Sequence, residues 1–216
     1  MPSSVARLET TWARVAGRRA DFGLRRGVRG AQMQHIAGGW ATKVTCATGV
    51  VVASTGHAER AEGQIRKSIT DVRGDFQKPR LAFLPGAGHH LRRFPKDLLL
   101  PIIQKVARQG LYQPILIIDR EVSEQWSLKR ECEALNIPLI DQGGLADFIA
   151  LVSRVQKVIA NDSGPGHIAA ALNVPTTFLF GPGCVGDWHC YDSTTHPILR
   201  EKVACRAEGP RELERF

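Results

Sequence analysis

The spacing of hydrophobic positions changes at about Arg80. Beyond it, short unbroken apolar runs alternate with stretches of helical period. Leu81-Ala82-Phe83-Leu84 reads as a buried strand, ended by Pro85-Gly86. Pro95 to Gln109 reads as a helix, with proline in its first turn, apolar Leu98, Leu99, Ile102, Ile103 and Val106 along it, and a stop at Gly110. Pro114-Ile115-Leu116-Ile117-Ile118 is a second buried strand, and Glu121 to Leu135 a helix. Ile137-Pro138-Leu139-Ile140 is a short strand whose proline puts it at an end or an edge. Leu145 to Val155 is a helix with Leu145, Phe148, Ile149 and Val152 on one face. Lys157 to Ala160 is a strand, His167 to Leu172 a helix, and Thr176 to Phe180 a final strand before Gly181-Pro182-Gly183. Continuous apolar strands separated by helices predict an α/β fold, a parallel sheet covered on both faces.

Residues 1–78 lack this regularity. They offer one β-like run, Gly49 to Ala53, and one possible helix, His57 to Ile69, among glycine-rich and arginine-rich pieces. The pattern predicts partial order there and a domain boundary near Asp75–Pro79. The division is thus 1–78, poorly defined, and 79–216, the regular domain.

Ligands of parallel sheets bind beyond the carboxyl ends of the strands. The candidate loops are therefore Pro85–Phe94, Asp119–Glu124, Asp141–Gly144, Asp162–His167 and Gly181–Gly183, all on one edge. The fourth holds the densest chemistry: Asn161-Asp162-Ser163-Gly164-Pro165-Gly166-His167. A strand runs into it and an alanine-rich helix runs out. A helix N-terminus carries unpaired N–H groups and partial positive charge, which suits a phosphate. Glycines there admit a ligand close to the backbone. The carboxylate of Asp162 would repel a bare phosphate but suits sugar hydroxyls, so the pair of signals points to a nucleotide-sugar. His167, one turn further, can donate to a phosphate or sit as a core histidine.

In the first loop, Arg92 or Arg93 could reach a diphosphate, since guanidinium pairs with phosphate bidentately. After the second strand, Asp119, Glu121 and Glu124 suit a ribose, and equally suit capping of a helix. His89-His90 lacks a third ligand at a recognisable spacing, so no metal site is expected. Ser163 lacks the glycine-flanked elbow of a serine nucleophile. Gly164-Pro165-Gly166-His167-Ile168-Ala169 fits the dinucleotide fingerprint, which keeps an NAD-type enzyme open. Its place in the last βαβ unit, with no acid ending the next strand, counts against that reading.

A length of 216 residues at 43% hydrophobic supports one good core with a smaller appendage. The net charge of +8 is concentrated at the start, where residues 1–30 hold seven arginines against Glu9 and Asp21. With no aromatic-and-basic sheet pattern and no zinc-finger spacing, nucleic acid is not the expected partner. The arginine-rich start suits an organelle transit peptide, a surface-associated leader and a loosely ordered tail equally, and its charge would suit contact with an anionic membrane surface. Cys46, Cys132, Cys184, Cys190 and Cys205 match no zinc or redox spacing and read as free thiols of a cytoplasmic chain.

Asp162-Ser163-Gly164-x-x-His167-x-Ala169-Ala170, then Pro175, then Phe180-Gly181-Pro182, resembles the signature of glycosyltransferase family 9, the bacterial heptosyltransferases. Pro85-Gly86-Ala87 and Arg93-Phe94-Pro95 are similar to the family's Pro-Gly-Ala loop and Lys-Trp-Pro. The resemblance covers about residues 80–205. It implies a GT-B architecture, of which this chain holds the Rossmann-like C-terminal, donor-binding half. It implies transfer of heptose from ADP-heptose to the lipopolysaccharide inner core, with inversion and without metal or cofactor, at the inner face of the bacterial inner membrane. Asp162 would contact the sugar and the diphosphate region, while the backbone N–H groups of Ser163 and Gly164, with His167, would hold the phosphates. Arg93 would replace a phosphate-binding lysine, and Glu121 would fall near a ribose-binding acid. The family's acceptor domain and its catalytic base have no counterpart in residues 1–78, so the catalytic residue is unknown. The resemblance therefore implies a truncated or divergent member, or a non-catalytic nucleotide-binding module.

Overall fold

The computed structural model describes the backbone of residues 32–36, 39–46, 49–88, 90–181, 185 and 191–200, and the side chains of those from 56 onward. The arginine-rich start, His89, Pro182, Gly183 and all the cysteines but Cys46 and Cys132 lie outside the described residues.

Three strands come first: β1 (Gln32–Ile36), β2 (Gly39–Cys46) and β3 (Gly49–Ser54), an antiparallel sheet in chain order. Helix α1 (Thr55–Asp71) follows. The main sheet then builds from β4 (Arg80–Leu84), α2 (Lys96–Gln109), β5 (Gln113–Ile118), α3 (Arg120–Gln125), α4 (Leu128–Ala134) and β6 (Leu139–Asp141). It continues through α5 (Leu145–Val152), β7 (Lys157–Asn161), α6 (Gly164–Ala171), β8 (Thr176–Phe180) and β9 (Ile198–Arg200). Its six strands are all parallel, in the order β6-β5-β4-β7-β8-β9. The expected α/β fold is thus present, and Pro138 does precede an edge strand.

Alternation along the strands sorts the core into two layers. Ala82, Leu84, Ile115 and Ile117 face α1 and α5, meeting Ala61, Ile65, Ile69, Leu151 and Val152. Leu81, Phe83, Leu116 and Ile118 face the other way, onto Leu99, Ile103 and Val106 of α2 and Leu128 and Cys132 of α4. Each such fully buried aliphatic or aromatic side chain contributes about 1.5–3 kcal/mol. The central strands β4, β5 and β7 are covered on both faces, which is why they read as unbroken apolar runs. Burial pushes the Cys132 thiol up to about 12, so it behaves as a small apolar group.

Several expectations need adjustment. The helix expected over Glu121–Leu135 is two short helices, parted at Trp126–Ser127, where Ser127 takes φ 53°. Leu145 does not share the buried face of α5; it is 53% exposed, while Phe148 through Val152 are all buried. The helix expected from His167 begins three residues earlier, at Gly164, because Pro165 presets the dihedral of a first turn. Gly110 stops α2 as expected, in the left-handed region at φ 72°. α1 lies N-terminal to the expected boundary, and its buried face nonetheless belongs to the same core as β4 and β5.

One ion pair ties α1 to the start of β4. Arg80 donates from both terminal nitrogens to the Glu62 carboxylate, each at 2.7 Å, with the arginine side chain 12% exposed. The bonded Arg80 guanidinium holds the Glu62 carboxyl below the usual range, against the opposing effect of partial burial. A lowered carboxyl stabilises the fold above its ordinary range and loses that contribution as pH falls through its lowered value. Arg80→Met is therefore expected to reduce stability by about 2 kcal/mol at neutral pH. In thermal melts across the acid range, the gap between variant and wild type should close as the pH drops.

Candidate functional site

In this strand order, the connections leave β4 and β7 in opposite directions, so a crevice opens between their carboxyl ends. β4 ends at Leu84, paired with Ala160 of β7. The next residue of β7, Asn161, is buried, and its side-chain amide donates to the carbonyl of Pro85 across the crevice floor. This bond fixes the two loops relative to each other. Asn161 was not among the expected site residues; a polar residue closing the apolar run Val158-Ile159-Ala160 is the signal that could have found it.

Asp162 comes next and is 2% exposed. Its Oδ1 lies 3.5 Å from Nε2 of His167, and its Oδ2 is buried with no hydrogen-bond partner among the described residues. A buried carboxylate oxygen without a donor is costly, by about 1–3 kcal/mol or more for a charged group. Such a group is retained where something supplies the donor.

Ser163 is the N-cap of α6, with extended backbone, but its hydroxyl makes no cap bond; it lies 3.5 Å from the Asn161 carbonyl. The first N–H groups of the helix thus have no side-chain cap. The two glycines that follow differ. A Cβ on Gly164 would meet nothing within 4 Å. A Cβ on Gly166 would lie 2.8 Å from both Ala160 Cβ and Phe178 Cε1, and 3.0 Å from the Asn161 carbonyl oxygen. Gly164 therefore leaves room for a ligand, whereas Gly166 lets α6 settle onto β7 and β8.

His167 is held on both sides. Its Nδ1 is 3.2 Å from the hydroxyl of Tyr191, and its ring packs 5.3 Å from that of Phe178. The loop after β4 closes over the same crevice. Arg93 donates from Nε to the Ala87 carbonyl at 2.9 Å, which ties the loop to itself. Arg92 reaches further, with a terminal nitrogen 3.5 Å from the Asp162 carbonyl. The Leu91 carbonyl comes within 3.4 Å of where a Cβ on Gly181 would stand, so the loops after β4, β7 and β8 converge. Of the two arginines considered from sequence, Arg92 contacts Asp162, and Arg93 is bonded within its own loop.

Glu121 stands apart from this cluster. It is exposed at the start of α3, after β5, where its backbone N–H is capped by Asp119 Oδ1 at 2.9 Å. The capping role of Asp119 is real, and Glu121 keeps its carboxylate free of partners among the described residues. A cavity of about 650 Å³ opens beside it, between α3, α4 and the ends of β5 and β6. Its lining mixes Arg120, Lys129 and Arg130 with Glu124 and Asp141, over Ile118 and Leu139. The crevice at the centre of the sheet is the better candidate, because the Asp162 Oδ2 without a partner among the described residues and the helix end without a side-chain cap are there. No group of metal-ligating side chains occurs among the described residues, and no described helix is long and apolar enough to cross a membrane.

The family model of glycosyltransferase family 9 (heptosyltransferase) matches residues 43–212. Lipopolysaccharide heptosyltransferase 2 of Escherichia coli strain K12 is 30% identical over 128 residues, which are 56% of this chain and 36% of that protein. The chain spans about a third of the length of the curated relatives it matches. The solved E. coli heptosyltransferase WaaC with ADP aligns with TM-score 0.51 at 20% identity, over 66% of this chain and 42% of that one. The family 9 glycosyl transferase of Veillonella parvula DSM 2008 gives TM-score 0.57 at 17% identity, over 72% and 44%. At those identities the likeness is one of fold. The strand order, the signature at the carboxyl end of β7 and a family match over well more than half of its length agree, and the chain belongs to glycosyltransferase family 9.

Proposed function

We propose that the central crevice binds a nucleoside diphosphate sugar of the ADP-heptose type, and that the chain supplies the donor half of heptose transfer to the lipopolysaccharide inner core. The observation that carries this reading is the Asp162 carboxylate: buried, with Oδ2 unpartnered among the described residues, beside a helix end whose N–H groups lack a side-chain cap. A carboxylate needs donors, and sugar hydroxyls supply them; N–H groups at positive potential need an acceptor, and a diphosphate supplies it. In this assignment Asp162 takes hydroxyls of the sugar. The backbone of Ser163 and Gly164, with His167, faces the diphosphate. Arg92 and Arg93 are assigned to it, and Glu121, at the start of α3 after β5, is assigned to the ribose.

Transfer leaves negative charge on the departing diphosphate. Guanidinium groups and a helix N-terminus aimed at that charge stabilise it without a bound cation. An inverting transfer also needs a base to take the proton of the acceptor hydroxyl. The described crevice residues are assigned to the donor, and none of them is assigned the role of base. The arginine-rich residues 1–30 carry the charge to sit against an anionic bilayer near a lipid-linked acceptor.

Calorimetric titration of the full chain with ADP, ADP-heptose, UDP and NAD tests the reading. Selective uptake of ADP-heptose over UDP and NAD is the expected result. Preference for NAD would restore the dinucleotide reading of the Gly164 fingerprint, and no uptake of any of the four would remove the donor site. A transfer assay with a lipopolysaccharide core acceptor then separates an enzyme from a binding module.

A further inference from the structure

We infer that Tyr191 is a positioning residue of this crevice, holding the His167 imidazole in one orientation against Asp162. The inference rests on the donor-site reading above. Tyr191 lies 24 residues beyond His167, in the connection between β8 and β9. Its hydroxyl is 3.2 Å from His167 Nδ1 and 3.4 Å from the His167 backbone carbonyl oxygen. A phenol has one proton. Given to Nδ1, the nearer of the two acceptors, that proton leaves the ring's own N–H on Nε2. Nε2–H is then the donor turned to Asp162, 3.5 Å from Oδ1.

The phenol is itself held. It stacks on Phe178 of β8 with planes 6° apart and centroids 5.7 Å apart, and Phe178 is fully buried. His196 packs on it at 5.4 Å. His167 rests on the same Phe178 ring. The chain of contacts runs from the rigid sheet through Tyr191 and His167 to a carboxylate whose second oxygen has no partner among the described residues. Fixing the imidazole fixes which carboxylate oxygen it takes and leaves the other for a ligand. An outer partner that sets ring orientation in this way commonly governs ligand affinity without touching the ligand.

The test uses the full chain, nitrogen-15 labelled, as wild type, Tyr191→Phe and Tyr191→Leu. Phenylalanine keeps the stack on Phe178 and removes only the hydroxyl. Long-range proton–nitrogen spectra of the histidine rings report the bond at His167, and titration with ADP reports the site. Tyr191→Phe should move the His167 Nδ1 resonance and weaken ADP binding about tenfold. A merely structural tyrosine would lose affinity only in Tyr191→Leu, with the phenylalanine variant like wild type; that pattern overturns the proposal. Unmoved His167 resonances in Tyr191→Phe overturn it as well, whether or not ADP binds. If the resonance moves but wild type takes up no ADP, the nucleotide reading falls and the hold of Tyr191 on the ring stands.

Discussion

Asp162→Ala is expected to weaken ADP-heptose binding by about a hundredfold while leaving the melting temperature unchanged or raised, because hydrogen bonds to a charged group contribute about 1.5–3 kcal/mol each. The two halves of this outcome have one cause. Asp162 is a buried carboxylate whose Oδ2 has no partner among the described residues, so alanine removes a costly buried acceptor. In the complex the same oxygen is satisfied by sugar hydroxyls, and alanine leaves those without an acceptor. Calorimetric titration against ADP-heptose and against ADP, with melts of both proteins, checks it. The loss should be larger for ADP-heptose than for ADP, since the carboxylate addresses the sugar. A variant that melts well below wild type yet binds the sugar nucleotide normally would make Asp162 a purely architectural residue.

Two glycines in the first turn of α6 are expected to respond in opposite senses. Gly166→Val should cost about 3 kcal/mol, the upper range for overpacking, because its Cβ would press on Ala160, Phe178 and the Asn161 carbonyl, none of which can retreat. In a chain of 216 residues that corresponds to a fall of about 6–12 °C in melting temperature. Gly164→Ala meets open space, and alanine in a helix is favoured over glycine by up to about 1 kcal/mol. It should hold or raise stability while impeding ligand approach. Urea denaturation and ADP titration of both variants separate the roles. Equal destabilisation by the two changes would contradict the packing described for Gly166.

Much of the main sheet was legible because its strands are covered on both sides. β4, β5, β7 and β8 are continuous apolar runs bounded by proline, glycine or aspartate, and each occurs within a residue or two of its expected place. β9 was not foreseen: Ile198-Leu199-Arg200 is three residues long and only half-buried, too short to show a period. The break between α3 and α4 is equally silent, since no glycine or proline marks it and Ser127 adopts a positive φ that its residue type does not announce. β1 and β2 mix glycine, glutamine and threonine with their apolar residues, so neither period stands out. At the crevice, Asp162, Ser163, Gly164 and His167 could be read because they are consecutive or nearly so. Asn161 bonding to Pro85 and Tyr191 bonding to His167 could not, because each contact joins residues that only the sheet brings together.

The bond between Asn161 and Pro85 spans 76 residues of chain. During synthesis β4 therefore emerges long before β7, its neighbour at the centre of the sheet. Until β7 arrives, the β4 edge that will pair with Lys157–Ala160 presents an apolar, unpaired ladder. Long-range parallel pairing of this kind is slow and leaves the nascent chain open to association with other copies. The crevice is thus completed among the last features to form, and a nucleotide that bridges the β4 and β7 loops would stabilise the finished sheet rather than any intermediate on the way to it.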